Sequence, residues 1–316
     1  MADLRYFSEW KYLRLSEEKK HDILKKEKEK EKEKRPLLPG PAHKKGEREV
    51  MKMKSGKTPK LLLFDLDGTL LRDDKTISDR TGKALRACRE KGLLIGVSTS
   101  RGEANCMTFL EEVQPDLVIS SGGALVRYAG EDIYREDFSE GETRRMIEAA
   151  RSVCGEDCEI TADTPEGHFW NYSLDPLQWD PSWGGSIYTD FQDFSHRCLK
   201  LCVQIFHPEQ AGRLKEMLPD CDCVRFSDGE WYKFTRRTAT KERAILAFCD
   251  FSGISAEEIA AFGDDFVDIG MLKLCGLGIA MGNAIEEVKE AADLVIGSNE
   301  EDGIAHFLEE GILNKS

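Results

Sequence analysis

Two carboxylates two residues apart, Asp65 and Asp67, follow directly on the apolar run Leu61-Leu62-Leu63-Phe64 and precede Gly68-Thr69-Leu70. A short, wholly apolar run is the pattern of a strand buried in a parallel sheet. Open α/β sheets bind their ligands at the carboxyl ends of such strands. Carboxylates at i and i+2 can serve one site if the backbone turns sharply after the first, and Gly68 permits that turn. One of them can then attack phosphorus, while the other protonates the leaving oxygen and later activates water. A bare Asp-x-Asp is often only an acidic strand-end turn; the full motif behind an apolar strand is more specific.

Three further groups have types suited to the same chemistry. Ser98-Thr99-Ser100-Arg101 again ends an apolar stretch and precedes a helical one. A hydroxyl and backbone N–H groups at a helix start cradle phosphate, although Ser and Thr are also ordinary helix caps. Lys241 follows Thr240 at the start of a helical pattern, where one ammonium can neutralise both a nucleophilic carboxylate and phosphoryl oxygens. Asp264 and Asp268 lie four residues apart after the apolar Ile259–Phe262, a spacing that puts both on one side of a helical turn. Oxygen ligands beside a phosphate favour Mg²⁺, which also offsets the repulsion among clustered carboxylates.

The elements that must position these groups alternate. Strands are predicted at 61–64, 93–98, 117–120, 259–262, 278–280 and 294–296. Helices are predicted over 79–91, 103–113, 240–249, 267–274 and 286–292. This is the pattern of a doubly wound, mainly parallel, Rossmann-like α/β core, assigned to residues 58–124 and 235–316. Residues 125–234 have a different texture, with a helix at 142–153, a strand at 199–206, a helix at 209–217 and strands near Val224 and Trp231. They are expected to form an inserted α+β cap that carries substrate specificity. Its aromatic, turn-rich stretch holds Glu166, His168, Trp170, Asn171, Tyr172, Trp179 and Trp183. Stacking on a sugar or base is one reading of that cluster, and ordinary aromatic packing is the other.

Charge is uneven. Residues 1–57 hold 18 Lys and Arg against 11 Asp and Glu, whereas the remainder holds 27 against 48. A folded part with charge −21 disfavours nucleic acid as a partner. The Lys/Glu repeat at 25–34 has no apolar face and suggests a solvated helix or a disordered tail. A basic arm that touches nucleic acid or membrane is the sharper alternative. Lys45-Gly46-Glu47 is encodable by a purine-rich, AGGAG-like stretch ahead of Met51, which suggests that translation starts at Met51 or Met53. The opening Met1–Arg5 lacks the apolar core of a signal peptide. No apolar run reaches the ~18–20 residues that span a bilayer. A soluble cytoplasmic protein without a membrane partner is expected. The ten cysteines show no Cys-x-x-Cys spacing and are read as reduced thiols, with a metal site among the six between Cys154 and Cys223 as the alternative.

The four motifs, in this order, resemble the haloacid-dehalogenase-like (HAD) hydrolases. Ala280-Met281-Gly282-Asn283-Ala284, Glu287-Val288-Lys289, Ala292-Asp293 and Glu301-Asp302-Gly303-Ile304 look like the Cof-type branch, subclass IIB. The resemblance runs from about Lys60 to the C-terminus and is vague in the insertion. It implies that Asp65 is a nucleophile forming an aspartyl-phosphate, and that Asp67 is the general acid/base and lends its backbone carbonyl to Mg²⁺. It further implies that Thr99 and Lys241 bind the phosphoryl group, with Ser100, Arg101, Gly68 and Asn283 around it. Asp264 and Asp268 would complete a metal site with Asp65 and Asp67. Three positions depart from the family pattern: Ser98-Thr99-Ser100-Arg101 replaces Ala-Thr-Gly-Arg, Gly122-Gly123-Ala124 replaces Asn-Gly-Ala, and Val267 replaces Asn. The expected activity is Mg²⁺-dependent hydrolysis of a small phosphate monoester, such as a sugar phosphate, nucleotide or cofactor precursor. A phosphosugar mutase and a non-catalytic phosphosugar-binding regulator are the alternatives.

Overall fold

A computed structural model describes residues 53–54, 56–111, 113–171, 186–226 and 230–314, all within one compact unit, Glu49–Ser316. The expectations for residues 1–52, and for Tyr172, Trp179 and Trp183, lie outside the described residues.

The four residues of β1 (Leu61–Phe64) are wholly buried and lead straight into Asp65. Next come α1 (Asp79–Glu90), β2 (Leu94–Ser98), α2 (Glu103–Leu110) and β3 (Leu117–Ser120). Ser78 caps α1 by accepting the Thr81 N–H, which satisfies one of the donors orphaned at a helix start. The hairpin β4 (Leu125–Tyr128) and β5 (Glu131–Arg135) pairs antiparallel with β3. The chain then builds α3 (Glu140–Cys154), β6 (Ile160–Thr164), β7 (Gly167–Trp170), β8 (Ser186–Tyr188), β9 (Lys200–Gln204), α4 (Pro208–Met217), β10 (Cys221–Arg225) and β11 (Trp231–Arg236). It returns through α5 (Lys241–Ser252), β12 (Ile259–Gly263), α6 (Ile269–Leu274), β13 (Leu277–Ala280), α7 (Glu286–Ala291), β14 (Leu294–Val295) and α8 (Gly303–Leu308).

The larger sheet runs β14-β13-β12-β1-β2-β3-β4-β5, and its first six strands are parallel. Chain order along these six is the 3-2-1-4-5-6 of a doubly wound fold, which puts the switch point, and hence the binding crevice, between β1 and β12. Phe64 and Phe262 stack across that pair at 4.5 Å. Each such buried side chain contributes about 1.5–3 kcal/mol, so the strand ends that carry the site rest on the best-packed part of the core.

The second sheet, β10-β11-β9-β6-β7-β8, is antiparallel apart from β7–β8. One face is apolar: Ile160, Ala162, Leu201, Val203 and Phe234 pack with Met146 and Ile147 of α3 and Leu214 of α4. The alternate residues, Thr161, Asp163, His168, Lys200, Lys233 and Thr235, are polar yet buried. They are buried because this face lies on loops of the first sheet: Lys200 Nζ donates to Ser100 O at 2.8 Å, and Ser121 Oγ donates to Asp163 at 3.2 Å.

The expected limits of the insertion need correcting at both ends. Residues 125–135 belong to the larger sheet, so the excursion begins after Arg135 rather than at Leu125. β11 keeps the chain in the smaller sheet to Arg236, two residues past the expected return. The predicted helix over 103–113 stops at Leu110, where Pro115 ahead discourages continuation. No helix among the described residues is long and apolar enough to cross a membrane.

Candidate active site

Asp65 extends the β1 ladder by one bond, its N–H donating to Phe262 O at 2.9 Å, so its carboxyl emerges at the switch point. That carboxyl meets Lys241, the first residue of α5, which Thr240 caps through the Arg243 N–H. The Lys241 ammonium donates to Asp65 Oδ1 (2.6 Å), Asp268 Oδ1 (2.7 Å) and Ser98 O (2.7 Å). An ammonium has three donors, and all three are used. One buried side chain thus ties together the ends of β1 and β2, the turn after β12 and the start of α5.

The turn after β12 brings the other acids. Asp268 Oδ2 accepts the N–H groups of Asp264 (3.0 Å) and Asp265 (3.1 Å), and Thr69 Oγ1 donates to Asp264 at 2.7 Å. Carboxylate oxygens of Asp65, Asp264 and Asp268 lie within 4.8 Å of one another. Gly68 is required here twice over. Its φ is +81°, and a Cβ would stand 2.3 Å from Asp264 Oδ2.

Burial, reinforced by Asp268, pushes the Asp65 carboxyl well above the usual carboxylate range despite Lys241. Burial also lifts Asp264 to about 6. Two acids that resist ionisation, in a cluster of three oxygen donors, are what a hard divalent cation relieves, and the donor set suits Mg²⁺. Asp67 behaves in the opposite way. Burial raises its pKa, but bonds from Arg101 (2.6 and 2.9 Å) and Lys75 (2.7 Å) outweigh that and hold it below the ordinary value.

The structure brings Asp65, Lys241, Asp264 and Asp268 together, and it sets the Asp67 carboxylate apart from the acidic cluster, between two cations. Thr99 is buried beside them, its Oγ1 accepting the Arg101 N–H at 3.1 Å. Three residues expected around the phosphoryl group have protein partners here. Asn283 spends its side chain on loops, donating to Gly68 O (2.7 Å) and accepting the Asn299 N–H (3.1 Å), so it braces the Asp67–Gly68 turn. Arg101 is turned onto Asp67, and Ser100 offers its carbonyl to Lys200. In the cap, His168 Nδ1 lies 2.6 Å from Asp163 Oδ1, and Trp170 packs edge-on against His168. Asn171 closes the β6–β7 hairpin, accepting the Ile160 N–H and donating to Cys158 O. Glu166 Oε2 lies 3.4 Å from His196. All ten cysteines are free, and the acidic triplet is the metal-type cluster found among the described residues.

Sequence reasoning missed Lys75, Asp163, Lys200 and Lys233. Lys75 follows Asp67 by eight residues and adopts φ +63° in the turn that folds it back. The three cap residues occupy alternate strand positions that normally mark a solvent face.

A family model of the haloacid dehalogenase-like hydrolases matches residues 62–308. The 5-amino-6-(5-phospho-D-ribitylamino)uracil phosphatase YcsE of Bacillus subtilis is 29% identical over 80% of this chain and 96% of its own length. The pyridoxal phosphate phosphatase YbhA of Escherichia coli is 26% identical over 79% of this chain and 98% of its own. A solved HAD subclass IIB sugar phosphatase superposes with a TM-score of 0.68 at 27% identity, over 79% of this chain and 98% of that one. With the family pattern running through both sheets and every element of the acidic cluster, the chain belongs to the haloacid dehalogenase-like hydrolases.

Proposed function

We propose that the protein is a Mg²⁺-dependent phosphatase of small phosphate monoesters, working through an aspartyl-phosphate on Asp65. The observation that carries this reading is the Lys241 bridge, which holds Asp65 in a buried position at the switch point beside two further carboxylates. Relatives named as phosphatases of 5-amino-6-(5-phospho-D-ribitylamino)uracil and of pyridoxal phosphate support the substrate class.

Asp65 attacks phosphorus and the bond to the leaving oxygen breaks, with Asp67 supplying the proton. Asp67 then takes a proton from water as that water attacks phosphorus, which releases phosphate and regenerates the Asp65 carboxylate. Thr99 holds a phosphoryl oxygen, and Lys241 keeps Asp65 aligned while neutralising part of the gathering charge. Asp65, Asp264, Asp268 and the Asp67 carbonyl would hold Mg²⁺, which when bound would supply the remaining positive charge. Asp67 starts as a carboxylate clamped by Arg101 and Lys75. An arriving phosphoryl group competes for those cations, and losing them lets Asp67 take up the proton that it donates. The seam made by Lys200, Asp163, Ser100 and Ser121 keeps bulk water from the acyl phosphate.

The test is hydrolysis of a broad phosphate-ester panel with Mg²⁺ and no added bisphosphate. Asp65→Asn is expected to remove turnover while circular dichroism stays unchanged. Wild-type protein inert on the whole panel contradicts the reading, and turnover that appears only with a bisphosphate points to a mutase instead.

A further inference from the structure

Lys233 lies in β11, in register with Cys202 of β9, and so shares the polar face of the second sheet with Lys200. Its side chain is buried, with 6% relative exposure for the residue, and it has no hydrogen bond or ion pair to any described residue. The ammonium reaches across the seam to the loop after β3. Nζ stands 3.0 Å from where a Cβ on Gly122 would be. The Gly122 N–H donates to Thr99 O at 3.0 Å, so the loop that Lys233 abuts also holds the candidate phosphate hydroxyl.

Of the nearby carboxylates, Asp222 of β10 acts on Lys233 through its charge without a hydrogen bond or ion pair to it, and the others are engaged. Asp163 is taken by Lys200 (2.8 Å) and His168, and Asp65 and Asp268 by Lys241. Burial, and then the positive charge of Lys200, lowers the Lys233 pKa to about 8. A desolvated ammonium with no counter-ion is costly to keep, and a bound anion removes that cost. Lys241 is the ammonium in contact with Asp65, which leaves Lys233 for a different group.

We infer that Lys233 binds a second acidic group of the substrate, a carboxylate or another phosphate, beside the phosphoryl group that Asp65 attacks. This rests on the phosphatase reading and narrows its substrates to esters bearing two acidic groups.

The test compares paired esters that differ by one acid: 3-phosphoglycerate with glycerol 3-phosphate, and fructose 1,6-bisphosphate with fructose 6-phosphate. Wild type is expected to favour the more acidic member of at least one pair. A charge-assisted contact is worth ~1.5–3 kcal/mol, so Lys233→Met should lower kcat/KM for that member by about 10–100-fold. Its partner should change by less than about threefold. Lys233→Arg should keep the preference. Lys233→Met should also melt no lower than wild type, because it deletes an unpaired buried charge. Equal losses on both members, or no wild-type preference in either pair, overturn the inference. Calorimetric binding of the same pairs to Asp65→Asn protein, with and without Lys233→Met, reads the same preference without turnover. A wild type inert on all esters therefore sinks the phosphatase reading, while the binding arm still decides on Lys233.

Discussion

Replacing Lys241 by Met keeps the length of the side chain but removes the one ammonium that touches Asp65 and Asp268. Both carboxylates stay buried, with Asp264 beside them. Removing one partner of a buried ion pair costs about 3–5 kcal/mol, because the charge left behind has neither solvent nor counter-ion. For a folded unit of this size that lowers Tm by about 6–20 °C, at roughly 2–4 °C per kcal/mol. The pH dependence has a definite sign. Without Lys241 the folded-state pKa of the acid cluster rises further above its unfolded value. A raised carboxyl pKa gives stability that is present at low pH and lost as pH rises through the folded value. The gap between Lys241→Met and wild type should therefore be widest at pH 7–8 and close toward pH 5. Added Mg²⁺ should narrow it, because the variant's uncompensated carboxylates bind the cation more tightly than the wild-type cluster does; at saturating Mg²⁺ each tenfold difference in Kd closes the gap by about 1.4 kcal/mol. Urea denaturation of both proteins from pH 5 to 8, with and without Mg²⁺, measures all of this. A difference under about 1 kcal/mol at pH 7, or one that does not shrink on acidification, refutes the assignment of Lys241 as the counter-ion of the cluster.

Other outcomes follow from the same geometry. EDTA should abolish turnover, and excess Mg²⁺ should restore it, as read in a continuous phosphate-release assay. Gly68→Ala forces a Cβ into a left-handed position 2.3 Å from Asp264 Oδ2. It should cost about 1–3 kcal/mol in urea unfolding and raise the Mg²⁺ concentration needed for half-maximal activity. Glu142, in the α3 capping box, is held at about 2 by Ser139 and then Arg236, below its ordinary 4.5. A depressed carboxyl pKa gives stability that is present above the unfolded value and lost as pH falls through the folded one. Glu142→Gln should thus cost about 1–2 kcal/mol at pH 7 at this partly exposed position, with the difference fading between pH 4.5 and 2 in acid-denaturation curves.

The grouping of Asp65, Lys241, Asp264 and Asp268 was legible in the sequence because its signals are local. An apolar run and the acid that ends it belong to one strand, and the spacing of Asp264 and Asp268 is that of one turn. Each of Asp65, Thr99, Lys241 and Asp264 sits where a predicted strand or helix terminates, so the order of elements alone pointed to a common crevice. Tertiary structure decided the rest. The β4–β5 hairpin is too short to reveal which sheet it joins, and only its pairing with β3 places it. Arg101 and Asn283 stand in the expected motifs, yet their partners, Asp67 and the Gly68 carbonyl, come from elements 34 and 215 residues away. Asp163, Lys200 and Lys233 alternate with apolar residues exactly as a wet strand face would. Their charge acquires meaning only once that face closes on the first sheet, because an ammonium that water would satisfy on an open surface must find its anion elsewhere when buried.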